Sequence, residues 1–194
     1  MGNVITQTIY LDLSKNRMKK IKTKFKGLDL YNGKTFYDKR GSFRETYKKN
    51  IIKKGLIFLI VSKSKKNVLR GLHLQTKKSQ DKFVTVLKGR ILDVAVDLRK
   101  KSKTFGKYFS IILSDKNSKS IYIPKGFAHG FMGMDKENYV VYSNSNYRSK
   151  KNEIGIIWND KNLKIKWPTK NPLVSKKDKN NLTFKEFCKI HLKN

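Results

Sequence analysis

The 194 residues contain one cysteine, three prolines and three histidines, and only 14 carboxylates stand against 46 basic side chains. Cys188 alone closes no internal disulfide, which points to a reducing compartment. The longest apolar run, Leu56 to Val61, falls far short of the ~20 residues that span a bilayer, and it reads as one buried strand. The N-terminus lacks a basic region followed by an apolar run, so no secretory signal is expected and the location is read as cytoplasmic, without a membrane partner. Arginine is scarce: seven of the 46 basic residues, the rest being lysine. Base readout and bidentate phosphate contacts favour arginine. No helix-turn-helix, zinc-finger or aromatic RNA-binding motif is present. The net charge of +32 is spread along the chain, and no specific nucleic-acid partner is expected.

With 38% apolar and 11% aromatic residues, the chain is able to bury a core, and its length fits a single domain over residues 1–194. Short β-type runs recur between polar clusters: Phe83–Leu87, Ile91–Val96, Tyr108–Leu113, Ser120–Ile123 and Asn138–Tyr142. Their spacing predicts an all-β sandwich or barrel. Val4–Leu11 also leans to strand, Lys15–Lys26 is expected to be exposed, and Tyr47–Lys54 reads as a short helix or a loop. Lys88-Gly89-Arg90 looks like a tight hairpin turn. The one persuasive helix is C-terminal, within a segment of about 175–192. There Thr183 and Glu186 fit a capping box, and Phe184, Phe187, Cys188 and Leu192 form an apolar side.

Two of the three histidines lie in apolar, glycine-punctuated segments, Asn67-Val-Leu-Arg-Gly-Leu-His73 and Ile123-Pro-Lys-Gly-Phe-Ala-His-Gly-Phe131. Histidine is the side chain best suited to moving protons near neutral pH, so His73 is the first candidate base. Arg70 and His73 differ by an odd number of residues. Perfect alternation separates them onto opposite faces, and a bulge at Gly71 is needed to bring them together. Lys82 shares a face with Val84, and a lysine turned into a barrel needs an anion or a developing oxyanion as partner. Tyr142 ends an apolar strand and is a candidate acid. A strand with Gly-x-His, a turn, then Pro-x-Gly-x-x-His resembles the two-part pattern of cupin barrels. Metal-binding cupins carry His-x-His and a later acidic ligand. Here Gln75 and Lys82 stand in those places, so neither a metal nor any cofactor is expected.

Further motifs occur in order: Gly41-Ser-Phe-Arg-Glu45, Asp93–Arg99, Thr104-Phe-Gly106, Trp158-Asn-Asp160 and Trp167-Pro168. With the two histidine segments they resemble the dTDP-4-dehydrorhamnose 3,5-epimerase family over roughly residues 28–180. The resemblance implies a metal-free, cupin-type jelly roll with its barrel core at about 28–170 and a short C-terminal helix. It implies epimerisation of a nucleoside-diphosphate 4-keto-6-deoxy sugar at C3 and C5 through an enolate. By motif match His73 is the base, Asp178 orients it, Lys82 steadies the enolate oxygen and Tyr142 is the acid. Arg70 and His129 line the sugar and phosphate pocket, with Asp93 behind His129. Glu153 and Lys177 match weaker pocket positions. Arg40 and Glu45 match positions that reach the nucleotide across a homodimer interface.

The chain departs from the family where a polar Gln-Asp-Asn-His run is replaced by Phe58-Leu-Ile-Val61. That leaves the nucleotide, the sugar and the number of carbons inverted open. A smaller departure is Ser42, in place of the first Phe of Arg-Gly-Phe-Phe. A catalytically silent cupin used for binding, and a nucleic-acid binder supported by charge alone, are the competing readings.

Overall fold

The structure, a computed structural model, describes residues 18–191 apart from 51, 53 and 54. Val4–Leu11 and Leu192 lie outside these residues. In chain order the strands are β1 (Lys19–Lys22), β2 (Asp29–Asn32), β3 (Thr35–Asp38), β4 (Gly41–Arg44), β5 (Phe58–Lys65), β6 (Val68–Gln75) and β7 (Lys82–Lys88). They continue with β8 (Arg90–Asp97), β9 (Tyr108–Ser114), β10 (Lys119–Ile123), β11 (Phe127–Gly133), β12 (Glu137–Asn144), β13 (Glu153–Gly155) and β14 (Leu173–Val174). Two helices follow, α1 (Lys176–Lys179) and α2 (Phe184–His191).

One sheet has the order β1-β2-β10-β7-β12-β5, and the other runs β13-β6-β11-β8-β9 with β14 beside β6. The expected all-β jelly roll is what the chain forms. Alternation explains the core. Val84 and Val86 of β7, Ile91 and Ala95 of β8, Phe127 and Phe131 of β11 and Val140 of β12 meet between the sheets. The opposite residues of β8 and β6, among them Val94, Val96, Leu72 and Leu74, form a second core under Phe187 of α2. That helix begins with the expected capping box: the Thr183 amide donates to Glu186 Oε2 at 2.7 Å, and the Glu186 amide donates back to Thr183 Oγ1 at 3.2 Å. Tyr47–Asn50 is loop.

Three expectations need correction. The Leu56–Val61 run is not a buried strand. It feeds β5, an edge strand, so one side chain of each pair faces water: Leu59 is 61% and Val61 57% exposed. Lys88-Gly89-Arg90 is not a hairpin. β7 pairs with β10 and β12, whereas β8 pairs with β11 and β9, so the chain crosses between sheets at Gly89. Gly89 has φ +81°, and its amide donates to Asp115 Oδ2 at 3.0 Å. The basic stretch is only partly exposed. Lys19, Lys20 and Lys22 project from edge strand β1, but Met18 and Phe25 are buried.

Candidate active site

Gly71 sets the geometry of the site. Its φ is +137°, and a Cβ built there would stand 2.5 Å from Gly130 Cα and 3.0 Å from the His129 carbonyl oxygen. No side chain fits, so the residue can bulge the strand. Across β11, His73 lies opposite His129 while Arg70 lies opposite Phe131, so three steps on β6 match two on β11. The expected bulge is present. Arg70 and His73 consequently line the same cavity of about 540 Å³ between the two sheets.

Asp178 reaches this cavity from α1, a one-turn helix capped by Ser175, whose Oγ accepts from the Asp178 amide at 3.1 Å. Asp178 Oδ1 lies 2.6 Å from His73 Nε2, and Oδ2 accepts from the Gly71 amide at 3.3 Å. Burial pulls the Asp178 carboxyl upward, but the bond to His73 and the His73 charge hold it below the usual carboxylate range. An ionised carboxylate only accepts. Nε2 of His73 therefore carries a proton, and in the neutral form of the ring Nδ1 is the basic nitrogen.

Lys82 begins β7 and lines the cavity, with Val84 on its face in the core and Phe83 on the other side, as the alternation implies. Desolvation lowers the Lys82 ammonium to about 8, against the pull of Glu153 and Asp93. Tyr142 lies opposite Val84 on β12 and also lines the cavity. Burial pushes its phenol up to about 12, so it holds its proton at neutral pH, and its oxygen is 2.8 Å from Ser62 Oγ. The Tyr142 ring meets that of His129 edge-on at 6.3 Å. His129 Nε2 is 2.8 Å from Asp93 Oδ2, and both residues are buried.

Glu153, on β13, receives a two-point contact from Arg148 and a further contact from Lys177 Nζ. All three line the cavity. The sequence reading missed Arg148, Ser62 and Ile60. For Ser62 and Ile60 the signal was available: along β5, alternate residues Phe58, Ile60 and Ser62 turn inward. Arg148 sits in a loop, where no periodicity speaks.

Arg40 and Glu45 are not in the cavity of this chain. Arg40, at the β3–β4 hairpin, has a 90% exposed side chain paired with Asp38, and Glu45 pairs with Lys48. No group of three or more His, Cys, Asp or Glu able to hold a metal ion occurs among the described residues. Gln75 spends its amide on backbone, donating to the Lys78 carbonyl at 2.8 Å and accepting from the Ser149 amide at 2.6 Å.

A histidine paired with a carboxylate, a lysine and a protonated phenol line one cavity in a jelly roll, an arrangement chemically suited to proton transfer at carbon. The family model for dTDP-4-dehydrorhamnose 3,5-epimerase matches residues 22–186. The chain belongs to this family, whose members are isomerases. It is 41% identical over 174 residues to the dTDP-4-dehydrorhamnose 3,5-epimerase of Shigella flexneri, covering 86% of this chain and 96% of that one. Its structure is similar to that of dTDP-6-deoxy-D-glucose-3,5-epimerase from Legionella pneumophila in complex with dTDP-4-keto-L-rhamnose. The TM-score is 0.82 at 35% identity, over 86% of this chain and 93% of that one. A 3'-monoepimerase from Streptomyces bikiniensis in complex with dTDP-quinovose also matches, with TM-score 0.82 and 25% identity over 88% of this chain and 90% of that one.

Proposed function

We propose that this chain epimerises dTDP-4-keto-6-deoxyglucose at C3 and C5, giving dTDP-4-dehydrorhamnose, without a cofactor. The observation that carries the reading is the His73–Asp178 pair facing the same cavity as Lys82 and Tyr142. The C4 ketone acidifies the protons on both neighbouring carbons. His73, through Nδ1, removes one of them, and Asp178 stabilises the resulting imidazolium. The Lys82 ammonium stands by the oxygen on which enolate charge develops. Tyr142 returns a proton from the other face, and the configuration inverts. Arg70 and His129 bind the ligand, with Asp93 fixing the His129 ring through Nε2.

A second reading is inversion at one carbon only. The apolar Ile60 in the cavity wall, where the family carries a polar run, favours it. Proton NMR of the product from dTDP-4-keto-6-deoxyglucose tests both: inversion at C3 and C5 supports the first reading, and inversion at one carbon the second.

The working unit is a homodimer. Arg40 and Glu45 lie outside this chain's own cavity, and the hairpin that bears Arg40 also exposes Tyr37 and Phe43. This supports a role for both residues at the nucleotide of the partner's site. The described residues form one cupin-like domain, and the chain works in the cytoplasm. No helix among the described residues is long and apolar enough to cross a membrane.

A further inference from the structure

Glu153 gathers cations at one end of the cavity. Arg148 donates to it through Nε at 2.7 Å and Nη2 at 3.0 Å, and Lys177 Nζ closes on the same carboxylate. The Glu153 side chain is 10% exposed and that of Arg148 is 49% exposed. The Arg148 bond, with the charge and bond of Lys177, outweighs burial and holds the Glu153 carboxyl down at about 2. Glu153 therefore stays anionic at every working pH. It cancels one of the two charges, and Lys82 adds another cation to the same wall. The balance here is positive.

A guanidinium has five N–H donors in a planar fork that suits phosphate oxygens. Among the described residues, the hydrogen bonds of Arg148 go to Glu153 alone, which leaves donors over for a ligand. The pairing also fixes the plane of the guanidinium, so less side-chain freedom is lost when a ligand arrives. His73 and Asp178 are mostly enclosed, whereas Arg148 is half exposed. The reacting sugar belongs with the enclosed pair, and the charged tail of the ligand with Arg148.

We propose that Arg148 is a ligand-binding residue of this chain, taking an oxygen of the diphosphate, with Glu153 as the residue that positions it. This rests on the reading of the cavity as a nucleotide-sugar site, but its test needs no turnover. Inorganic pyrophosphate is titrated calorimetrically into the full chain at constant ionic strength. Arg148→Gln is expected to weaken binding about tenfold, since one charge-assisted contact is lost, and Arg148→Lys by less, since the charge stays and the fork goes. Arg90→Gln is the control for bulk charge: its side chain is also 49% exposed and pairs with a carboxylate, Asp135. It is expected to bind as the wild type does. Thermal melts report folding, and Arg148→Lys keeps the test readable if the glutamine variant unfolds. Unchanged affinity in Arg148→Gln overturns the proposal. So does an equal loss in Arg90→Gln, or no pyrophosphate binding by the wild type. Isotope exchange by the wild type judges the epimerase reading separately.

Discussion

His73 Nε2 and Asp178 Oδ1 lie 2.6 Å apart although 105 residues separate them in the chain. Two short-range devices produce the contact. The bulge at Gly71 turns His73 inward, and the Ser175 cap starts the single helical turn that presents Asp178. The Gly71 amide donates to the same carboxylate, so bulge and helix are tied together.

Asp178→Asn is expected to keep the fold and lower kcat by about 10³ to 10⁴, as loss of a histidine-orienting carboxylate does elsewhere. The amide cannot stabilise the imidazolium and permits the wrong tautomer. Steady-state kinetics beside a circular dichroism spectrum check this. A kcat within a few-fold of wild type would show that Asp178 is only a structural partner.

Lys82 carries a pH signature. Desolvation has brought its ammonium to about 8 from the ordinary value of 10.5. The protonated form is the useful one, so kcat/KM of the free enzyme is expected to fall as pH rises through about 8. In Lys82→Arg the cation persists to far higher pH, so this limb should vanish even though activity is lower. A wild-type profile that is flat to pH 10 contradicts the role.

Tyr142→Phe separates the two faces of the reaction. With the base intact and the acid gone, the substrate should still exchange its proton with solvent but regain it on the original face. Deuterium should therefore enter recovered substrate while inverted product falls by about 10² or more. Undiminished product would remove Tyr142 from the mechanism.

The fold has its own test at Asp97. This fully buried carboxylate accepts from Arg99 Nε at 2.8 Å and Nη2 at 2.7 Å, and from Ser102 Oγ and Thr104 Oγ1 at 2.6 Å each. Burial raises its carboxyl, but these bonds more than compensate and leave it below the ordinary value. A carboxyl depressed on folding adds stability above its unfolded pKa and loses it as pH falls through the folded value. Asp97→Asn should cost about 3 kcal/mol at pH 7, and less in acid. Urea unfolding at both pH values measures the difference.

The jelly roll was legible because short β-type runs, among them Phe83–Leu87, Ile91–Val96 and Asn138–Tyr142, recur between polar clusters, and the helix because Thr183 and Glu186 make a complete cap. His73, Lys82, Tyr142 and Asp178 were legible as a set only through the order of several motifs. The failures have a common cause. Whether Leu56–Val61 is central or at an edge, and whether Lys88-Gly89-Arg90 joins neighbours or crosses between sheets, depends on partners far away in sequence. Arg148 was silent for a different reason: it sits in a loop without periodicity, and its meaning lies in Glu153 and Lys177 meeting at one cavity wall.

The most direct measurement is deuterium uptake from D₂O into dTDP-4-keto-6-deoxyglucose, followed at C3 and C5 for wild type and His73→Asn. Uptake at both carbons by the wild type, reduced by at least about 10³ in His73→Asn, is the expected result. Absence of uptake in the wild type, or equal uptake in the two proteins, would contradict His73 as the base of an epimerase.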